Sequence, residues 1–400
     1  MRRAELLTAV IADDLTGAAD TGVQFARAGY RTAVVFRGEP VPPEDLDAVV
    51  FDTNSRTLRP SLAARYVAEA GRNSRAARFV YKKFDSTLRG SVAAELTSAF
   101  ESTRRRRAIV APAFPAAART TVGGTQLVHG VPVHETEMRN DPRTPVREGH
   151  VPTLLGRWSS SVGTLGVEDL GDPENVRRAL DRDEWTVVDA ESDADLEALV
   201  RAVPDPGAVL WAGSAGLALA LGAVYPGPHP AETRPSFAKA RSVLVVIGSL
   251  NAASRGQLDK MVERYGEVAV PVGPGTVGEV VGTARGILSG GSCAVVHSSG
   301  RASSSARGQV MRSLAGAAAA LAGEGSFDGL VLTGGSTAVA VSRALGASGI
   351  RLSGELEAGV PVGALIGPSP YTVVTKAGGF GRPDTIVGAV ESLLKGDEKT

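Results

Sequence analysis

The feature that most constrains this chain is a change of hydrophobic period that repeats along its length. Short runs rich in β-branched residues alternate with longer Ala/Leu/Arg stretches of helical period, the pattern of βαβ units around a parallel sheet. Strands are expected at 6–12, 32–36, 47–52, 78–82, 108–112, 185–190 and 208–211, with helices at 15–28, 61–72, 91–104, 194–203 and 214–223. Between Val224 and Ala240 the sequence VYPGPHPAETRPSFAKA carries four prolines, which oppose both helix and central strand. The alternation then restarts, with strands at 242–247, 267–270, 293–297, 329–333, 362–366 and 371–375. Helices are expected from about 254, at 276–288, within 303–323 and at 337–346. The expected class is therefore α/β, as two three-layer domains with largely parallel sheets: residues 1–225, a Pro-rich linker at 226–240, and residues 241–400. Four hundred residues exceed what one hydrophobic core usually fills.

Composition narrows the function. Lysine plus arginine (43) balance aspartate plus glutamate (43), so the general attraction to phosphate backbones or anionic membranes that a basic protein has is missing. No nucleic-acid or membrane partner is expected. The apolar run in MRRAELLTAVIADDL is broken by Asp13 and Asp14 before it could serve as a signal-peptide core, and no stretch approaches the ~20 apolar residues of a membrane span. The single cysteine, Cys293, excludes an intramolecular disulfide, and with five scattered histidines and no HExxH no metal centre is expected. A reducing, cytoplasmic setting follows as the expectation. The Ser303–Ser305 run and the Ala-rich 315–322 stretch read as surface turn and helix.

Chemistry-bearing residues gather where strands end. In IADDLTGAADTG (11–22), Asp13 and Asp14 follow a strand and precede a helix, at the carboxyl edge where open α/β sheets bind ligands. One of them could simply cap the helix, but a cap needs one carboxylate rather than two. In DTNSR (52–56), hydroxyl, amide and guanidinium groups share one turn, and Arg56 suits a carboxylate gripped through a bidentate fork. YKKFDSTLRG (81–90) is the densest decapeptide: Lys82, Lys83 and Arg89 surround Asp85, Ser86 and Thr87, a set fit for an anion that also carries hydroxyls, with Asp85 a conceivable base. The stretch 113–150 lacks helical or strand period, and its Arg119, Thr120, Thr121, His134, Glu135, Thr136 and Asp141 suggest a structured polar site loop.

The second half offers glycine turns instead. GSLNAAS (248–254), TGGST (333–337) and TKAGGFG (375–381) each follow a strand; glycine lets backbone N–H groups approach a ligand, and a helix N-terminus adds roughly half a positive charge. Three such turns at one sheet edge would cradle phosphate. GPGTVG (273–278) matches a dinucleotide fingerprint, but no acidic residue between Glu279 and Glu324 could hold a ribose. AGSAG (212–216) lacks the first glycine of a hydrolase elbow, so Ser214 reads as a helix cap, and no GxxxxGK[ST] occurs. His129 and His134 read as loop polar groups rather than ligands.

Taken together, ADDLTGAADTG, DTNSR, KKFDSTLRG, APAFPAAARTTVGG, GVPVHETEMRNDPRTPV, TGGST and VTKAGGFG, in this order, resemble the four-carbon acid sugar kinases from Ala12 to Asp384. The resemblance implies an ATP-dependent kinase that phosphorylates the 4-hydroxyl of D-threonate, D-erythronate or 3-oxo-tetronate, with Mg²⁺ arriving on the nucleotide. It implies an acid-binding N-terminal domain, a nucleotide-binding C-terminal domain and a site in the cleft between them. By motif, the catalytic candidates are Asp14, Asp85 and Lys83, and the acid-binding candidates Asp13, Arg56, Lys82 and Arg89. The nucleotide candidates are Ser249, Gly334, Gly335, Ser336, Thr337, Gly378 and Gly379. The family commonly has GGD or GGE where this chain has Ser336, so Glu355 or Glu357 would have to supply that carboxylate. This departure leaves open a catalytically impaired sugar-acid sensor of the same fold. A homo-oligomer, and which of Asp13, Asp14 and Asp85 serves as base, also stay open.

Overall fold

The structure, a computed structural model, describes residues 6–43, 45–159, 161–231, 235–300 and 307–396. The Ser303–Ser305 run and residues 232–234 of the Pro-rich stretch lie outside the described residues. In chain order the first elements are β1 (Thr8–Ala12), α1 (Leu15–Arg27), β2 (Thr32–Phe36), β3 (Ala48–Asp52), α2 (Pro60–Ser74), β4 (Phe79–Lys83), α3 (Val92–Thr103) and β5 (Arg107–Ala111). There follow β6 (Arg119–Val122), β7 (Thr125–Val128), β8 (Val131–Pro132), α4 (Val151–Leu155), β9 (Val162–Leu165), α5 (Pro173–Arg182), β10 (Trp185–Val188), α6 (Asp193–Ala202), β11 (Val209–Gly213) and α7 (Ala215–Val224). The remainder runs β12 (Val243–Ile247), α8 (Ala252–Tyr265), β13 (Ala269–Val272), α9 (Val277–Gly290), β14 (Cys293–Ser298), α10 (Arg307–Gly323), β15 (Gly329–Thr333), α11 (Gly335–Ala344), β16 (Gly349–Glu357), β17 (Val360–Ile366), β18 (Thr372–Lys376) and α12 (Thr385–Lys395).

The chain forms two compact units, and the division is not a single cut. The first comprises the residues up to Thr32 with Pro43–Ala231; the second takes Ala33–Pro42, and with it most of β2, together with the chain from Pro235 onward. In the first unit the strand order is β3-β1-β4-β11-β5-β10-β9, and every neighbouring pair is parallel. One helical layer is α1, α7, α6 and α5 packed in sequence, and the other is the α2–α3 pair. In the second unit the order is β13-β14-β12-β15-β18-β17-β16-β2, parallel as far as β18 and antiparallel through β17 and β16. There α9, α10 and α11 form one layer and α8 with α12 the other. A parallel sheet needs both faces covered, which is why its central strands read as unbroken apolar runs such as VLVVI, buried at every position. Val243, Val245 and Ile247 of β12 share one core with Leu258 and Met261 of α8 and Ile386, Val390 and Leu393 of α12. Fully burying each such side chain stabilises by roughly 1.5–3 kcal/mol. Among the described residues no helix is long and apolar enough to cross a membrane.

Each strand and helix expected from the sequence occurs within two residues of its place, apart from the helix within 303–323, which is described from Arg307. Beyond the 113–150 stretch, five elements lack a counterpart in that reading: α4, β9, α5, β16 and α12. Helix α5, PENVRRALDR, shows the reason, since only Val176, Ala179 and Leu180 of it are buried and the charged remainder hides the stripe. The stretch 113–150 is corrected more substantially. It contains a three-stranded antiparallel sheet, β6-β7-β8. Its turns are two-residue hairpins, Gly123–Gly124 (φ 55° and 71°) and His129–Gly130 (φ 50° and 78°), both needing left-handed backbone at two successive positions. Gly-Gly between Val122 and Thr125 was the legible signal. Ser214 caps α7 as expected, accepting from the Gly216 N–H at 3.2 Å.

Candidate active site

Strand register brings the three N-terminal motifs together. Ala12 of β1 pairs with Asp52 of β3 on one side and with Lys83 of β4 on the other, so ADD, TNSR and FDSTLRG leave the sheet side by side. The TNSR turn is then pinned to the end of β1: Ser55 and Arg56 donate their backbone N–H groups to the Asp13 carbonyl at 2.8 and 3.0 Å. Its Asn54 has φ 45°, and Leu88 in the DSTLRG turn has φ 57°. A buried leucine in left-handed backbone is strained, a condition concentrated at ligand sites.

Arg56 grips two carboxylates at once. Its Nε and Nη2 donate to Asp13 Oδ2 and Oδ1 at 2.7 and 2.9 Å, while Nη1 and Nη2 donate to Asp14 Oδ2 and Oδ1 at 2.9 and 2.6 Å. Asp14 also caps α1, with Oδ1 accepting the Gly17 N–H at 2.8 Å. It therefore does both things weighed for it, capping a helix and joining the charge cluster. Arg89 turns back on Asp85 through Nε and also approaches Asp141 Oδ2 at 3.5 Å, and Thr87 Oγ1 donates to Asp85 Oδ2 at 2.6 Å. Lys82 is wholly buried and forms an ion pair with Glu95 of α3 at 2.8 Å. Its ammonium also donates to the Lys83 carbonyl at 2.7 Å. Lys83 differs from the other cations. Its ammonium donates to the Phe84 carbonyl at 2.9 Å and, among the described residues, has no carboxylate at ion-pair distance, yet its field reaches Asp13, Asp14 and Asp85.

These partners separate the three aspartates. Burial would raise the Asp13 carboxyl, but Arg56 and then Lys82 and Lys83 hold it below the ordinary value. Asp85 is likewise buried, and Arg89 with Arg56 drives it far below the carboxylate range. Asp14 alone is raised: burial, with the neighbouring Asp13 charge, outweighs Arg56 and Lys83. Its side chain is also the most exposed of the three, 19% against 2% for Asp13 and 12% for Asp85.

Several residues that complete this site were not singled out in the sequence. Gly17 makes room for it, since a Cβ there would lie 2.8 Å from Asp14 Oδ1 and 2.9 Å from Lys83 Nζ. Glu95, in the first turn of α3, reads in sequence as an ordinary helix-start acid; in space it neutralises Lys82 and accepts from Ser55 Oγ at 2.9 Å. Gln126 of β7 donates to the Ser86 carbonyl at 2.9 Å, and Asp189 accepts from Gly123 and Gly124 at 2.6 and 2.8 Å. The Gln126 bond ties the β6–β7 hairpin to the FDST turn and the Asp189 bonds tie it to the end of β10, so the polar segment borders the charged cluster.

In the second unit, register again aligns three turns: Ile247, Thr333 and Lys376 pair across β12, β15 and β18, and GSLN, GGST and AGGF follow them. The turns are in contact. A Cβ on Gly248 would sit 1.9 Å from Thr337 Oγ1, and one on Gly378 would sit 2.1 Å from Ser249 Oγ. Gly334 has φ 94° and starts α11 without a side-chain cap, so the N–H groups of Gly335, Ser336 and Thr337 open the helix at this edge. From α8, Ser254 Oγ holds the Gly378 carbonyl at 2.6 Å, and Gln257 holds those of Phe380 and Arg382 at 3.1 and 2.8 Å. Glycines that let the Thr337 and Ser249 hydroxyls pack against these turns, beside an uncapped helix N-terminus, give an edge of N–H and O–H groups that fits phosphate oxygens. Ser249, Gly334, Gly335, Ser336, Thr337, Gly378 and Gly379 all lie on these turns. Of the two acidic substitutes considered for Ser336, Glu357 is the one joined to the segment after AGGF, pairing with Arg382 at 2.9 Å and accepting from Thr385. Glu355 accepts from the Gly359 N–H at 3.3 Å.

Two family models match the chain, one in each half. A family model described as a sugar-binding N-terminal domain matches residues 8–221, and one described as a nucleotide-binding C-terminal domain matches residues 244–386. The chain belongs to the four-carbon acid sugar kinase family. Within the family, it is 35% identical to a D-threonate kinase of Bordetella bronchiseptica over 96% of both chains. It is 33% identical to a D-threonate kinase of Salmonella typhimurium, over 97% of this chain and 99% of that one, and 30% identical to a D-erythronate kinase of Heliobacterium modesticaldum, over 96% of each. Among solved structures, a Salmonella typhimurium protein described as a putative tRNA synthase superposes with a TM-score of 0.80 at 23% identity, over 96% of this chain and 98% of that one, a likeness of fold alone. A Bordetella bronchiseptica structure, described as a domain-swapped dimer with bound citrate, matches at 33% identity and a TM-score of 0.50 over 97% and 98% of the two chains.

Proposed function

We propose that this protein is an ATP-dependent kinase that transfers the γ-phosphoryl group to the 4-hydroxyl of a four-carbon sugar acid, with D-threonate the first substrate to test. The observation that carries the reading is the pairing of Asp14 with Lys83: one aspartate whose carboxyl is raised and accessible, beside one buried cation with no carboxylate at ion-pair distance among the described residues. Phosphoryl transfer asks mainly for positioning and charge neutralisation. Asp14 accepts the proton of the 4-hydroxyl as the O–P bond forms. Asp13, held ionised, keeps Arg56 in place. Lys83 meets negative charge, either the acid's carboxylate or the transferring phosphoryl oxygens. The glycine turns of the second unit hold ATP, and Mg²⁺ comes with its phosphates and neutralises them.

Two further readings accompany this one. The citrate and the domain-swapped dimer described for the Bordetella relative support a hydroxy-acid ligand and self-association here as well, the latter measurable by light scattering. The single buried cysteine and the relatives named as D-threonate kinases support a cytoplasmic setting.

The test is ADP release from ATP and Mg²⁺ across D-threonate, D-erythronate, their L-isomers and 3-oxo-tetronates, with the product phosphate located by NMR. Turnover on D-threonate with phosphate on O4 is expected. Absence of turnover on every acid would overturn the reading. Asp14→Asn should lower kcat by about 10²–10⁴-fold, the usual contribution of a positioned general base, while the KM for ATP stays within about twofold.

A further inference from the structure

Lys376, the last residue of β18, is a buried cation that the reading above leaves without a task. It is 1% exposed, and its Nζ donates to the Ala377 carbonyl at 2.8 Å, the peptide that leads into Gly378 and Gly379. Among the described residues no carboxylate lies within ion-pair distance of it. Its own carbonyl accepts the Gly334 N–H at 2.9 Å, so the residue touches two of the three glycine turns. Beside it in register, Thr333 is fully buried, and its hydroxyl has no hydrogen-bond partner among the described residues. A buried ammonium without a counter-charge is costly and persists where a ligand supplies the missing anion.

We propose, on the basis of the kinase reading, that Lys376 is the positioning residue of the nucleotide subsite, holding the Ala377–Gly379 peptides and supplying from beneath them the positive charge that the nucleotide's phosphates neutralise. The charged groups around it are few. Glu357 attracts it from the end of β16 but is occupied by Arg382, which also approaches Asp384 at 3.8 Å; Arg255 of α8 is directed to the Ser298 carbonyl. Burial accordingly pushes the Lys376 ammonium down to about 8, against the smaller upward pull of Glu357. Bound phosphate would raise it again, so nucleotide binding near that pH must take up a proton.

The experiment is calorimetric titration of the full chain with ADP, between about pH 7 and about pH 9.5 and in buffers of different ionisation enthalpy, beside steady-state kinetics. Wild-type protein should take up a proton near pH 8 and lose about tenfold in ADP affinity over that range. Lys376→Met should bind ADP at least tenfold more weakly at pH 7, without proton uptake and with the KM for the sugar acid unchanged, while Lys376→Arg should restore affinity and abolish the pH dependence. ADP affinity in Lys376→Met within twofold of wild type, or wild-type binding with no proton uptake, would overturn the proposal. The wild-type titration decides even if the methionine variant does not fold. Failure of the kinase reading is seen separately, as no ADP release with any sugar acid from a protein that still binds ADP.

Discussion

Each unit buries a lysine at the carboxyl end of a central parallel strand, and in each the ammonium hooks the next carbonyl: Lys82 donates to Lys83 O at 2.7 Å, and Lys376 to Ala377 O at 2.8 Å. The two differ in what completes them. Lys82 meets Glu95 at 2.8 Å, whereas no protein carboxylate among the described residues closes on Lys376. The same contrast runs through both candidate subsites. In the first unit Asp13, Asp14, Asp85 and Glu95 face Arg56, Lys82, Lys83 and Arg89, four formal charges of each sign, although Lys83 is at ion-pair distance from no carboxylate among the described residues. In the second unit the candidate site is made of backbone N–H groups and one unbalanced cation. A sugar acid presents hydroxyls of fixed stereochemistry, which only placed side chains can tell apart, while a polyphosphate presents charge that oriented peptides can meet.

The largest expected effect would break the balanced network. Arg56→Ala leaves Asp13 and Asp14 buried without their partner, which should cost about 3–5 kcal/mol of stability and at least about 10³-fold in kcat/KM; a thermal melt and an acid-saturation curve would show both. An unchanged melting temperature would mean that the carboxylates are not buried as described. Next, the glycines separate the units. Gly17→Ala forces a methyl against Asp14 and Lys83 and should lower kcat about 10²-fold, whereas Gly378→Ala presses on Ser249 and should raise the KM for ATP about tenfold with kcat little changed. If both variants moved the same kinetic constant, the assignment of acid to one unit and nucleotide to the other would fail. The smallest effect is in pH. Because burial raises the Asp14 carboxyl, a base there is lost by protonation as pH falls through a value above that of an ordinary aspartate, while Asp13 and Asp85, both lowered, stay ionised. The acid limb of kcat/KM should lie above the ordinary aspartate value and disappear in Asp14→Asn.

Much of this was legible in one dimension. The alternation of periods located the strands, and the rule that ligands gather at strand carboxyl ends drew attention to ADD, DTNSR, KKFDSTLRG and the glycine turns. The hairpins at Gly123–Gly124 and His129–Gly130 had a turn signal in the sequence, but β-strands as short as β8 carry too few residues to show a period. Glu95 carried no signal of role, since an acid early in a helix is common; Lys376 stands inside the TKAGGFG run, but a lysine ending a strand is common and drew no role of its own.

What the sequence determined by itself is the supply of groups and their address: which aspartates, cations and glycines stand at the ends of which strands. What only the tertiary structure decided is how those groups divide among one another. Arg56 reaches Asp13 and Asp14 across more than forty residues, Glu95 of α3 claims Lys82 of β4, and among the described residues Lys83 and Lys376 are left without carboxylates at ion-pair distance. Charge state follows desolvation and the distance to other charges, and both are properties of residues brought together from different elements.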